Sequence, residues 1–287
     1  MPSELNRYRR NVTSQCGEDG IVERLLTLLP DTPKTCLEVG AGDGVSLSNT
    51  HTLWAEKGWR ALLIEGGEGR FELLKKTVSG KPNATPVRAM IAPAGENSID
   101  EIARRTDFPR RLGVLSLDID SNDLEIFETL RDVVPDIVII EFNHEIPPEV
   151  AYRDLPGDIF FRHSAKAVET VAKAKNYRLV ACTGPNAILV REAAIKDDTA
   201  AQLPHRPVET VFDNDFVRSR RRMRGLVQSK FITEELAVAG RPSLAFALLR
   251  NLIVAGRKLR RALRGKKPGA TVTPARREHL KRAGLWV

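Results

Sequence analysis

The sequence predicts an α/β domain whose sheet is mostly parallel and ends in an antiparallel hairpin, followed by a basic helical extension. Three observations predict it. Short apolar runs that end in glycine or an acid alternate with segments of helical periodicity. The last two runs are adjacent and joined by a tight turn. The charge is divided: residues 1–215 carry 26 Lys+Arg against 34 Asp+Glu, whereas residues 216–287 carry 19 against 3.

The apolar runs are residues 35–39 (TCLEV), 61–65 (ALLIE), a weaker 85–91, 113–118 (GVLSLD) and 136–141 (DIVIIE). Runs this apolar suit strands covered on both faces. Residues 177–182 and 187–190 supply two further strands, joined by Thr183-Gly184-Pro185-Asn186. Helices are expected over 18–29, where Ile21, Val22, Leu25 and Leu28 share a face, and over 50–57, 70–77, 123–131 and 165–175. This alternation builds a parallel sheet with crossover helices. A boundary is expected near residue 200, giving a domain over 1–200 and an extension over 201–287.

Cys16, Cys36 and Cys182 are widely spaced and form no CxxC pair, which argues against a disulfide framework or a cysteine zinc site. The first fifteen residues hold no apolar core of a secretory signal, and no apolar stretch approaches a membrane span. A cytoplasmic chain is expected, with peripheral attachment to the inner face of the membrane as an option.

The strongest local motif is Glu38-Val39-Gly40-Ala41-Gly42-Asp43-Gly44, at the end of the first strand. Three glycines in seven residues let the backbone turn sharply and approach a ligand. A dinucleotide turn has the spacing G-x-G-x-x-G and opens on a pyrophosphate. Here the spacing is G-x-G-x-G, with acids at 38 and 43. Such a turn disfavours an anion and suits a ligand that carries a sulfonium, an ammonium and a ribose. The next strand ends in Glu65-Gly66, 21 residues after Gly44, where a carboxylate can accept both ribose hydroxyls.

These segments resemble the FkbM-like branch of S-adenosylmethionine-dependent methyltransferases. The resemblance rests on SQCGEDG (14–20), LEVGAGDGVSLSNT (37–50), GWRALLIEG (58–66), LSLDIDSND (115–123), PDIVIIEFN (135–143) and KNYRLVACTGPNAILVR (175–191). It covers about residues 12–192 and stops before the basic extension. It implies a Rossmann-like class I methyltransferase sheet, S-adenosylmethionine as cofactor, and transfer to a hydroxyl of a sugar or glycan. Glu38, Gly40, Ala41, Gly42, Asp43 and Gly44 would face the methionine part of the cofactor, and Glu65 with Gly66 the ribose. Ser48 and Asn49 would line the pocket, and Ile91 and Ala92 would lie near the adenine. The aromatic often found inside the family's glycine turn is replaced here by Ala41-Gly42.

The fourth and fifth strands end in Asp118-Ile119-Asp120 and Glu141-Phe142-Asn143. In a parallel sheet these ends share an edge with the glycine turn. Asp118, Asp120, Glu141 and Asn143 form an oxygen-rich set that suits a hard cation such as magnesium, which would lower the pKa of an acceptor hydroxyl. Without a metal, Asp118, Asp120 or His144 would serve as general base. A third possibility is that Asp118 orients the cofactor's ammonium while Asp120, Asn122 and Asp123 cap the next helix.

Residues 243–264 (SLAFALLRNLIVAGRKLRRALR) place Leu244, Leu248, Leu252, Ala255, Leu259 and Leu263 on one stripe, with Arg257, Lys258, Arg260, Arg261 and Arg264 crowding its end. Such a helix suits an anionic membrane surface. It suits equally a surface of its own domain or of a second subunit in a homo-oligomer. Nucleic acid is a weaker partner, because aromatic residues for base stacking are scarce. A non-catalytic cofactor-binding adaptor and an RNA methyltransferase are the rival functions.

Overall fold

Strand β1 (Thr35–Val39) lies between β2 (Arg60–Glu65) and β4 (Arg111–Leu117), and all three run parallel. Beyond them lie β3 (Ala84–Arg88) on one side and β5 (Val134–Glu141) on the other, also parallel. The hairpin β6 (Tyr177–Thr183) and β7 (Asn186–Arg191) completes a seven-stranded sheet in the order β3-β2-β1-β4-β5-β7-β6, with β7 antiparallel to both neighbours. This is the Rossmann-like arrangement the sequence predicts. The computed structural model describes residues 4–155, 162–217 and 274–283. The chain divides into two units, Met1–Ala151 with Arg162–Asp213, and Tyr152–Phe161 with Asn214–Val287.

The alternation of strand side chains decides what each face buries. Cys36, Ala61, Leu63, Val114, Ile137, Ile139 and Ile188 share one core cluster with Ile21, Val22, Leu25 and Leu28 of helix α1 (Glu18–Leu28). The intervening residues, among them Leu37, Leu62, Leu115 and Val138, are equally buried, so the sheet is covered on both faces. The crossover helices are α2 (Glu68–Thr77), α3 (Ile99–Arg105), α4 (Asp123–Thr129) and α5 (Ala165–Ala174). In the second unit, Pro274–Arg282 form a helix. The amphipathic segment 243–264 lies outside the described residues.

Three expectations are corrected locally. Residues 50–57 do not form an α-helix. Thr52–Glu56 make one wide turn, closed by the Lys57 amide reaching back five residues to the Thr52 carbonyl at 3.2 Å. Thr50 is tied to Glu38 at one end and Gly58 turns the chain with φ +69° at the other, so only one turn fits between them. The third strand stops at Arg88, because its partner β2 ends at Glu65, the residue opposite. Helix α3, not read from the sequence, starts at Ser98, whose side chain accepts the Glu101 amide.

Glu18 and Asp19, at the start of α1, explain the SQCGEDG segment. Glu18 is fully buried and holds the hairpin turn through Thr183 Oγ1 and Asn186 Nδ2, while its other oxygen accepts the Cys16 amide at 2.7 Å. Asp19 Oδ2 accepts the amides of Val12, Thr13 and Ser14 at 2.8–2.9 Å. The segment so folded back reaches the loop after β1, where Thr13 Oγ1 donates to the Ser48 carbonyl at 3.0 Å.

Candidate active site

The carboxyl ends of β1, β2 and β4 open on a cleft of about 670 Å³. Its floor is the glycine turn. Gly40 has φ +80°, and a Cβ there would stand 1.9 Å from the Asp118 carbonyl oxygen, so only glycine lets β1 and β4 approach this closely. The amides of Gly40 and Ala41 both donate to the Ile64 carbonyl, at 2.9 and 3.0 Å, which turns the chain over the end of β2. Gly42 and Gly44 also have positive φ.

Glu65 staples this turn to the next helix. One carboxylate oxygen accepts the Gly42 amide at 2.9 Å and the other accepts the Gly67 amide at 2.6 Å. A carboxylate offers about four acceptor positions, so two remain for a ligand in the cleft.

Glu38 lines the cleft and also binds the loop that follows the glycine turn. Its oxygens accept Ser48 Oγ (2.6 Å), the Asn49 amide (2.8 Å) and Thr50 Oγ1 (2.8 Å). Burial pushes its pKa up, and these three donors oppose the shift. The carboxylate therefore shapes the loop 48–50. Asp43 likewise folds its own loop. Burial would raise its carboxyl, but the Val45 and Ser46 amides and the Ser46 hydroxyl hold it below the usual range.

Asp118 and Asp120 both line the cleft. Asp118 is hydrogen-bonded to Glu141, and burial raises both groups, Glu141 to about 9. Asp118 beside it adds to the shift of Glu141, and Arg162 opposes it. Two buried carboxyls in contact hold one proton between them. Arg162 joins this group from before α5: its Nη1 donates to Glu141 and, at 3.0 Å, to Asp120 Oδ1. Asp123, fully buried at the start of α4, accepts the amides of Ile119 (2.8 Å) and Ser121 (3.2 Å) and so shapes the loop that carries Asp118 and Asp120.

Most of the sequence-predicted residues gather here. Glu38, Gly40, Ala41, Gly42, Asp43, Ser48, Asn49, Glu65, Gly66, Ile91, Asp118 and Asp120 line the cleft. Gly44 lies behind it, packed toward Leu74. Ala92 closes a short loop through its amide and the Asn97 carbonyl. Asn143 Oδ1 accepts the Glu145 amide, which bends the chain after β5, and His144 sits in that bend outside the cleft lining.

The proposed metal set does not fit a divalent cation. Among the described residues no three His, Cys, Asp or Glu side chains are grouped to hold one. The guanidinium of Arg162 already bridges Asp120 and Glu141, and a positive group there repels a second.

Sequence reading missed Arg162, Arg70, Leu47, Leu73 and Met90. Leu47, Leu73 and Met90 are large apolar side chains that stay 60%, 49% and 72% exposed on the cleft wall. Their exposure is the signal, and it exists only in the folded chain.

No family model matches the chain, and no curated protein does. Solved structures with some likeness include the CMeT domain of the citrinin polyketide synthase, at 12% identity over 61% of this chain and a TM-score of 0.40. This chain spans about half of that one (51%). A SAM-dependent methyltransferase from Aquifex aeolicus aligns at 16% identity over 58% of this chain and 87% of its own, with a TM-score of 0.36. The N-terminal domain of EvdMO1, solved in the presence of SAH and D-fucose, aligns at 12% identity over 61% of this chain and 82% of its own, with a TM-score of 0.41.

Proposed function

We propose that this chain transfers a methyl group from S-adenosylmethionine to a hydroxyl oxygen of a sugar or glycan. The observation that carries the cofactor reading is the charge of the cleft. Glu38, Asp43, Glu65, Asp118 and Asp120 line it, against Arg70 as the basic side chain. A pyrophosphate would be repelled there, whereas a sulfonium and an ammonium are attracted. Glu65 keeps acceptor positions for a ribose, and Leu73, Met90 and Ile91 offer an apolar wall for an adenine. The sugar or glycan class rests on the resemblance to FkbM-like enzymes.

The cofactor supplies an electrophilic methyl carbon. The chain must hold the acceptor oxygen in line with that carbon and take its proton. Asp118, the acid on the cleft side of the Asp118–Glu141 pair, would take the proton of an acceptor hydroxyl brought to the methyl group that the cofactor would supply. Arg162 fixes Glu141 and so positions Asp118.

Calorimetry on the full chain tests the reading. S-adenosylhomocysteine should bind and NAD should not; binding of NAD with no response to S-adenosylhomocysteine would overturn it. The basic extension is proposed, from sequence alone, to attach the enzyme to an anionic membrane surface. No helix among the described residues is long and apolar enough to cross a membrane. Co-sedimentation with anionic vesicles that is lost at high salt, and lost on removal of residues 240–287, is the expected result; loss of a subunit partner instead would make the apolar stripe a docking surface.

A further inference from the structure

Among the described residues the exposed large apolar side chains are Val12, Val45, Leu47, Leu73 and Met90. Leu73 and Met90 belong to the wall that an adenine would meet. The other three share one loop and the segment bound to it. Val45 and Leu47 lie between Asp43 and Ser48, and Val12 precedes Thr13, whose hydroxyl holds the Ser48 carbonyl. Leu47 lines the cleft and has φ +62°. An exposed leucine and a left-handed backbone both cost free energy, so the surrounding structure must hold the loop in place. Hydrogen bonds on both sides of Leu47 do so. Before it, Asp43 Oδ1 accepts the Val45 and Ser46 amides at 2.9 and 2.7 Å. After it, Glu38 accepts Ser48 Oγ at 2.6 Å and the Asn49 amide at 2.8 Å, while Asn49 Nδ2 donates to Ser116 Oγ on β4 at 3.0 Å. The leucine gains nothing from this position until an apolar surface covers it.

The cofactor does not supply that surface. Its ribose is polar, its aminoacyl chain is charged, and its adenine already has Leu73, Met90 and Ile91. The acceptor is what remains for Leu47. Ser48 and Asn49 tie this residue to β1 and β4, and β4 leads directly to Asp118, which would take the acceptor's proton. Charge restricts the acceptor further. Glu38, Asp43, Glu65, Asp118 and Asp120 line the cleft and repel a phosphate-linked sugar. Among the described lining residues none is aromatic, so a flat aromatic acceptor finds no stacking partner, whereas an aliphatic one finds leucine.

We propose that Leu47 is a specificity-determining residue for the acceptor, and that the acceptor is an uncharged glycoside whose aliphatic aglycone packs on Leu47. The assignment rests on the methyltransferase reading above and names the substrate class within it.

Calorimetry on the full chain saturated with S-adenosylhomocysteine tests it. The probes are methyl, butyl and octyl β-glucoside, each below its micelle-forming concentration, and UDP-glucose. Affinity should rise by about 10-fold or more from the methyl to the octyl glycoside, because each buried methylene is worth roughly a factor of four. UDP-glucose should bind more weakly than the octyl glycoside. Leu47→Ala should cut the gain with chain length by about 10-fold and leave the methyl glycoside and S-adenosylhomocysteine within twofold. Leu47→Gly should bind like Leu47→Ala yet unfold at a higher urea concentration, since glycine adopts a positive φ freely and alanine does not. A lower urea midpoint for the glycine variant would contradict the strained backbone on which the proposal stands. An octyl glycoside that binds no better than the methyl one, or a gain that survives in both variants, would overturn it. Equal losses for S-adenosylhomocysteine and the glycosides would overturn it by making Leu47 a wall of the cofactor site. Affinity without chain-length dependence, together with binding to uncharged phosphatidylcholine vesicles that Leu47→Ala abolishes, would give the apolar face to a lipid surface and overturn it too. Failure of S-adenosylhomocysteine to bind the unmodified protein would instead remove the methyltransferase reading, and this assignment with it.

Discussion

Glu65→Gln separates the two tasks of the carboxylate that closes the glycine turn. Glu65 is 6% exposed, and its two oxygens accept the Gly42 and Gly67 amides at 2.9 and 2.6 Å. Glutamine has the same shape but one acceptor oxygen; its NH2 must face one of the two amides. One charge-assisted bond is lost and the other becomes a neutral one, a loss of about 2–4 kcal/mol in stability at such a buried site. The ribose loses one of its two acceptors, which weakens S-adenosylhomocysteine by roughly 10- to 100-fold. Urea unfolding and calorimetry read the two effects independently. Glu68→Gln is the control: that side chain is 75% exposed and meets Arg88 at 3.4 Å, so both quantities should stay near wild type. A Glu65→Gln protein that is destabilised but binds S-adenosylhomocysteine normally would reduce Glu65 to a staple and refute the ribose assignment. A protein that keeps full stability would refute the bridge itself.

Gly40→Ala should cost more than about 4 kcal/mol, since its Cβ would stand 1.9 Å from backbone that cannot rotate away; a urea midpoint near wild type would contradict so close an approach. Asp123 titrates at about 6 because burial disfavours its charge, with Asp118 adding to the shift, against about 3.9 in an unfolded chain. The folded state binds this proton more tightly, so its contribution is greatest below about pH 4 and declines by roughly 3 kcal/mol as the pH rises through 6. Asp123→Asn should flatten that part of the stability profile, and an unchanged slope would place the titration elsewhere. Removal of divalent metal should leave both cofactor binding and methyl transfer intact; transfer abolished by EDTA and restored by magnesium would show that Arg162 yields its place to a cation.

Much of this architecture was legible in one dimension, because it depends on local rules. Hydrophobic runs of strand length, separated by stretches of helical period, fix the alternation of layers. The spacing Gly40, Gly42, Gly44 and the acid at Glu65 marked the edge where the cleft opens, because a tight turn needs glycine whatever surrounds it. Helix α3 was passed over although Ile99, Ile102 and Ala103 share a face and Ser98 caps them; seven residues are too few for periodicity to stand out. Residues 50–57 read as a helix because their composition allows one, and only the tether to Glu38 prevents it.

What the tertiary structure alone decided is how the acids are used. From sequence, Glu38 and Asp43 were expected ligand contacts, and Asp118, Asp120, Glu141 and Asn143 were read either as oxygens around a cation or, for Asp118 and Asp120, as a general base, a partner of the cofactor's ammonium or a helix cap. In the fold Glu38 is consumed by Ser48, Asn49 and Thr50, and Asn143 by its own turn. Arg162, 21 residues beyond Glu141, pairs with Glu141 and Asp120, and Glu18 reaches 165 residues along the chain to Thr183. The physical reason is common to all of these. A residue's type sets the bonds it can make, but its partner is chosen by which distant segments the sheet brings within 3 Å, and that choice has no local period.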